Sequence, residues 1–131
     1  MQLSGPSSSG MSGRSPEASS KVPSTSDLQP WLKPYADYLL NVSEYNFGRG
    51  SLNSVYRSRA AQQNLYDRYL RGLSQYPVAP PGTSLHEHRL AFDYNVPQGG
   101  RSPQQTALGR FWASMGGGWS PKDPIHFYVR L

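Results

Sequence analysis

The chain's three histidines all fall in two short segments, residues 82–93 and 123–128, together with three of its eight carboxylates, Glu87, Asp93 and Asp123. Neutral imidazole nitrogen and carboxylate oxygen are the donors that a borderline metal such as zinc takes where no thiolate is on offer, and the chain has no cysteine. A catalytic zinc site keeps three protein ligands and leaves a fourth position open. His86, Asp93 and His126 are the three groups that different elements can bring together, and one sheet face could collect them all. Asp123 precedes His126 across a proline-containing bend, close enough to reach a water at the site without having to be a ligand. Zinc lowers the pKa of such a water to about 7. A carboxylate that accepts its proton and later passes it to a leaving amine is typically worth about a hundredfold to ten-thousandfold in rate. A histidine taken alone is more often an ordinary surface or core residue, so it is the combination that points to a metal. His88 reads as a solvated neighbour and Glu87 as a residue facing water.

These residues need elements to hold them. Trp31, Leu32, Tyr35, Leu39 and Val42 recur at spacings of three and four, with Pro34 suited to a first turn, which predicts a helix over about residues 33–45. Glycines at 48 and 50 break it, and 52–56 alternates as a strand does. Ser58 can cap the next helix, in which Leu65, Tyr66, Tyr69, Leu70 and Leu73 form an apolar stripe. Gly72 and the proline-rich segment 76–82 end that helix and deliver the chain to His86. Residues 90–96 have strand character, with Leu90, Phe92 and Tyr94 on one face and Ala91 and Asp93 on the other. A glycine-rich turn over 97–103 leads to a helix marked by Leu108, Phe111, Trp112 and Met115, which Gly116, Gly117 and Gly118 terminate. A closing strand starts at Ile125. The expected fold is α+β: a small, largely antiparallel sheet carrying the metal site, with two or three helices packed on it.

The 131 residues are enough for one domain. Residues 1–27 are mostly Ser, Gly and Pro and offer little to bury, so they are read as a disordered N-terminal arm and 28–131 as the domain. The net charge of +5 belongs to that domain, because Arg14 and Lys21 balance Glu17 and Asp27 in the arm. Such a surface favours an anionic partner. Nucleic acid is excluded as the partner class: the basic residues are scattered, and no helix-turn-helix, finger or aromatic RNA-binding signature is present. Neither a secretory signal pattern nor a run of about 20 apolar residues that would cross a bilayer is found. No membrane insertion is expected.

Taken together, the motifs resemble those of the zinc D-alanyl-D-alanine carboxypeptidases. That family includes the vancomycin-resistance dipeptidases and the L-alanyl-D-glutamate endopeptidases of bacteriophage lysins. Its S-x-H-x-x-G-x-A-x-D pattern falls on Ser84, His86, Ala91 and Asp93, and its acid-x-x-H on Asp123 and His126. Its S-G-Y-R-S-x-x-x-Q-x-x-L-Y is similar to Ser54-Val55-Tyr56-Arg57-Ser58 followed by Gln62, Leu65 and Tyr66. The glycines between Trp112 and Trp119 resemble its G-G-x-W segment, so the likeness spans about residues 55–127. The resemblance implies zinc held by His86, Asp93 and His126, with Asp123 as general base and acid. It also implies that Arg57 holds the carbonyl oxygen as it gains charge, while Ser84 and Gln62 support the site or touch substrate. The implied substrate is a peptidoglycan stem peptide. Aspartate at the base position is typical of the endopeptidases, which favours an L-Ala-D-Glu-type cut, with a D-Ala-D-Ala carboxypeptidase as the alternative. A non-catalytic wall-binding or virion module of the same fold is the alternative from another class. The cellular setting implied is a bacteriophage lysin or virion-carried hydrolase, made in the host cytoplasm, acting at the wall and tethered to a particle by its arm. Three positions depart from the pattern: Arg89 replaces one glycine, Val55 replaces another, and Tyr128 stands where an acid is common.

Overall fold

The computed structural model describes residues 22–131. Three helices and four strands follow in order: α1 (Lys33–Phe47), β1 (Ser51–Ser54), α2 (Arg59–Leu70), β2 (Ala91–Asn95), α3 (Pro103–Ser114), β3 (Gly118–Ser120) and β4 (Asp123–Tyr128). Short 3-10 turns at Thr25–Asp27 and Leu85–His88 complete the set. The strands form one antiparallel sheet in the order β1-β2-β4-β3, an α+β fold as the sequence predicts. Among the described residues, no helix is long and apolar enough to cross a membrane.

Strand parity decides where the core lies. Phe92 on β2 sits directly opposite Phe127 on β4, and their rings stack 5.3 Å apart. Trp112 of α3 meets both edge-on, at 5.5 and 6.4 Å, and aromatic pairs of this kind add about 0.5–1.5 kcal/mol each beyond their buried area. Leu39 of α1 and Leu108 of α3 close the cluster over that face. The deeply buried amide of Gln105 accepts from Val96 N–H and donates to the carbonyls of Tyr94 and Pro124, so α3 is bonded to both central strands. The opposite face of the sheet is left for the site.

Helix α3 can lie close to β3 only because residue 109 has no side chain. A Cβ on Gly109 would overlap the Trp119 indole, which is held by its N–H to the Pro124 carbonyl at 2.8 Å. Alanine normally gains up to about 1 kcal/mol over glycine inside a helix. Here overpacking at about 1–3 kcal/mol wins, so Gly109→Ala is expected to lower the thermal midpoint in a calorimetric scan.

Several sequence expectations need correction. In α1 the buried positions are Ala36, Leu39 and Ser43, preceded by Leu32, while Trp31 and Tyr35 stay about half exposed. Two small residues let this face approach the sheet, and the Ser43 hydroxyl donates to Tyr94 Oη. The stripe read in α2 is not core either: only Gln62 of that helix is buried, and Tyr69, Leu70 and Leu73 face solvent. α2 is anchored through its first half, at the rim of the cleft. β3 was not foreseen, because the glycines at 116–118 read only as a terminator. The last six residues of the predicted arm, 22–27, fall among the described residues. Ser24 caps the turn Thr25–Asp27, Asp27 is buried, and Gln29 N–H donates to Arg89 O. The remainder of the predicted arm, residues 1–21, lies outside the described residues.

Candidate metal centre

Asp93 is one residue along from Phe92 and therefore projects from the opposite face. Its cross-strand partner is His126, so the pairing that stacks two phenyl rings in the core also sets a carboxylate against an imidazole on the site face. His86 arrives on the 3-10 turn Leu85–His88. Ser84 caps that turn, its Oγ accepting from His86 N–H, and Glu87 accepts in return from the Ser84 and Gly82 amides. The turn ends in Arg89, which is left-handed at φ 62°, the conformation for which the pattern's glycine is suited. An L-residue there costs about 1–2 kcal/mol. The Arg89 guanidinium lies 4.0 Å from the Tyr56 ring centroid and donates to Asp27 O at 3.0 Å. A cation–π contact of about 0.5–1 kcal/mol and a charged hydrogen bond of about 1.5–3 kcal/mol are enough to offset that cost.

His86 Nε2 and His126 Nδ1 lie 3.1 and 3.2 Å from Asp93 Oδ1. Donor atoms of the three residues all fall within 4.8 Å of one another. His86 Nδ1 is 2.7 Å from the Val55 carbonyl, which can only accept, so that nitrogen carries the proton. Nε2 is thereby the nitrogen left to face the carboxylate oxygen, where a bound cation would be shared by both, and the donor set of two imidazoles and one carboxylate fits zinc. Burial alone would raise the Asp93 pKa, but charge and hydrogen bonds from His86 and His126 prevail and hold it well below the usual carboxylate range.

The centre lies in a cleft of about 460 Å³ lined by Arg57, Gln62, Tyr76, Ser84, Asp123 and His126, among others. Arg57 is fixed by three acceptors: Gln62 Oε1 at 2.9 Å, Ser54 Oγ at 2.8 Å and Asp93 Oδ2 at 3.4 Å. Burial lowers its pKa from the usual arginine value against the pull of Asp93. Asp123 stands outside the cluster of three candidate donors, and burial raises its carboxyl above the ordinary aspartate value.

The structure thus gathers His86, Asp93, His126, Asp123, Arg57, Gln62 and Ser84 around one cleft. Two of them are turned inward. Gln62 grips Arg57 and donates to Ala79 O, and Ser84 caps the turn carrying His86. His88 is exposed, as expected. Glu87 is not simply solvated; its capping-box role had a legible signal in the serine three residues before it. The Val55 carbonyl that orients His86 had none, because a backbone acceptor leaves no mark in side-chain spacing.

Comparison with known proteins gives a fold and no closer kinship. No protein-family model and no curated protein matches the sequence. Among solved structures, the chain is similar to a mutant of the vancomycin-resistance D,D-pentapeptidase VanY from a VanB-type resistance cassette in complex with Zn(II). The TM-score is 0.62 at 21% identity, over 78% of this chain and 72% of that one. It is also similar to VanYB in complex with D-alanine-D-alanine, with a TM-score of 0.58 at 21% identity, over 78% of this chain and 71% of the other. The chain therefore shares the α+β fold of these two structures.

Proposed function

We propose that this protein is a zinc-dependent peptidoglycan peptidase that hydrolyses a bond of the stem peptide. The observation that carries the proposal is the convergence of His86, Asp93 and His126 donor atoms within 4.8 Å, in a cleft that also presents Asp123 and Arg57. The shared fold supports it, since one similar structure holds Zn(II) and the other D-alanine-D-alanine. His86, Asp93 and His126 would hold the zinc. Once bound, the metal supplies a Lewis acid that polarises the scissile carbonyl and makes a water acidic. Asp123 takes the proton of the attacking water and returns it to the leaving amine. Arg57, locked by Ser54 and Gln62, faces the oxygen on which charge develops, and one well-placed donor of this kind is worth roughly 3 kcal/mol.

The bond is read as interior, of L-Ala-D-Glu type, on the aspartate at position 123. The terminal D-Ala-D-Ala bond is the second reading, favoured by the ligand of VanYB. Metal analysis of the purified protein and mass spectrometry of digested wall sacculi test both. Zinc near one equivalent with release of stem fragments supports the proposal. New termini at L-Ala and D-Glu select the first bond, and freed D-alanine selects the second. Wall binding without release would support a non-catalytic wall-binding or virion module instead. The cellular setting we attach is a bacteriophage one, a lysin or particle-borne hydrolase tethered by the Ser/Gly/Pro-rich arm. Co-purification with phage particles tests it.

Because Asp123 must be ionised to accept a proton, activity is lost as pH falls through its pKa. Burial raises that pKa, so the acid limb of kcat/KM should lie above the ordinary aspartate value near 3.8 and should disappear in Asp123→Asn. A limb at or below that value would count against the assignment.

A further inference from the structure

Histidines that bind metal usually donate their second ring nitrogen to a carboxylate, a carbonyl or water, and this bond sets the plane of the ring. His86 has such a partner in Val55 O. His126 turns Nδ1 to Asp93, and no described residue bonds its Nε2. Two rings lie against it: His86, 5.1 Å away and tilted by 45°, and Tyr128, two residues on along β4 and hence on the same face. The His126 and Tyr128 centroids are 5.1 Å apart, with planes 28° from parallel, so Tyr128 is the one that stacks.

The seat of that tyrosine is itself built. Its carbonyl accepts from Trp112 Nε1 at 3.0 Å. Directly across the ladder is Gly118, where an added Cβ would overlap the Tyr128 ring. Gly118 does not have positive φ. Its backbone would accept any residue, so what it contributes is bare space for the ring to lie across β3. The Arg130 guanidinium covers the phenol from 5.2 Å. Arg130, just past the end of β4, and Tyr128 and His126 on it thus form a stack of three side chains, ending at the centre.

We infer that Tyr128 is a positioning residue, holding the His126 ring in its metal-binding plane by stacking where a hydrogen bond is usual, with Gly118 left bare to admit it. The inference rests on the zinc reading above. The sequence places tyrosine where an acid is common in the family that the chain resembles, and stacking supplies the orientation by a different means.

The test is zinc affinity of the metal-free full chain, measured against a competing chelator, with Co(II) absorption bands as a second readout and the thermal midpoint as a check on folding. Tyr128→Ala should weaken zinc binding about 10- to 100-fold, the usual cost of losing an orienting partner, and should shift the Co(II) bands. Tyr128→Phe keeps the ring and should bind as the parent does. Gly118→Ala should weaken binding when Tyr128 is present and not in the Tyr128→Ala background, a non-additivity that a merely structural effect would not produce. Parental affinity in Tyr128→Ala, or an equal cost of Gly118→Ala in both backgrounds, overturns the inference. A parent that binds zinc but cleaves no stem peptide overturns the peptidase proposal and leaves this one standing. A parent that binds no zinc overturns both.

Discussion

Asp123→Asn is expected to lower kcat on a peptidoglycan stem peptide by about a hundredfold to ten-thousandfold, with zinc content unchanged. Asp123 lines the cleft but lies outside the cluster of three donor groups, so an amide in its place takes no ligand away. The substitution preserves shape and removes only the capacity to accept a proton. If the carboxylate works as proposed, kcat and kcat/KM fall together, because the lost interaction belongs to the transition state. Steady-state kinetics beside metal analysis separates the outcomes. Loss of zinc would make Asp123 a ligand, and an undiminished kcat would require another base.

Asp93→Asn should act earlier, on the metal itself. Asp93 Oδ1 is shared by His86 and His126, and Oδ2 faces Arg57. The amide keeps the volume and loses the charge that both contacts use. A direct ligand should cost more than an orienting partner, so the drop in zinc affinity should exceed about a hundredfold, and hydrolysis should be lost with it. Arg57 would then be a buried cation without its carboxylate, and removing one partner of a buried pair costs about 3–5 kcal/mol. Arg57 retains partial exposure and two neutral acceptors, so the observed loss of stability should fall below that range. Competitive zinc titration and thermal melts measure the two effects separately. Zinc bound at the parental affinity would remove Asp93 from the ligand set.

The convergence of the candidate site residues was largely legible in the sequence, because ligand chemistry restricts residue types sharply. Asp93 and His126 could be placed on one face by counting from Phe92 and Phe127, since alternation along a strand is strict. Helix faces were harder to read. In α1 the bulky aromatics marked a stripe that the structure leaves exposed, and the face that packs is chosen by Ala36 and Ser43, whose merit is their size. In α2 the stripe Leu65, Tyr66, Tyr69, Leu70 predicted core, yet the helix is held at one end by Gln62, a polar residue that no apolar periodicity would single out. β3 is three residues long and glycine-led, below what alternation can signal. Arg89 shows a further limit: its left-handed turn depends on Tyr56 and Asp27, partners distant in sequence that local spacing does not reveal.

The alignment of β2 with β4 has an implication for how this chain tolerates insertion and deletion. Sliding either strand by a single residue would drive its phenyl ring into the cleft and draw its carboxylate or imidazole into the oily interior. Only even-numbered steps keep the sides sorted. Lineages of this protein should therefore change length in the turns between strands and spare these two ribbons, where one arithmetic constraint guards folding and metal capture together.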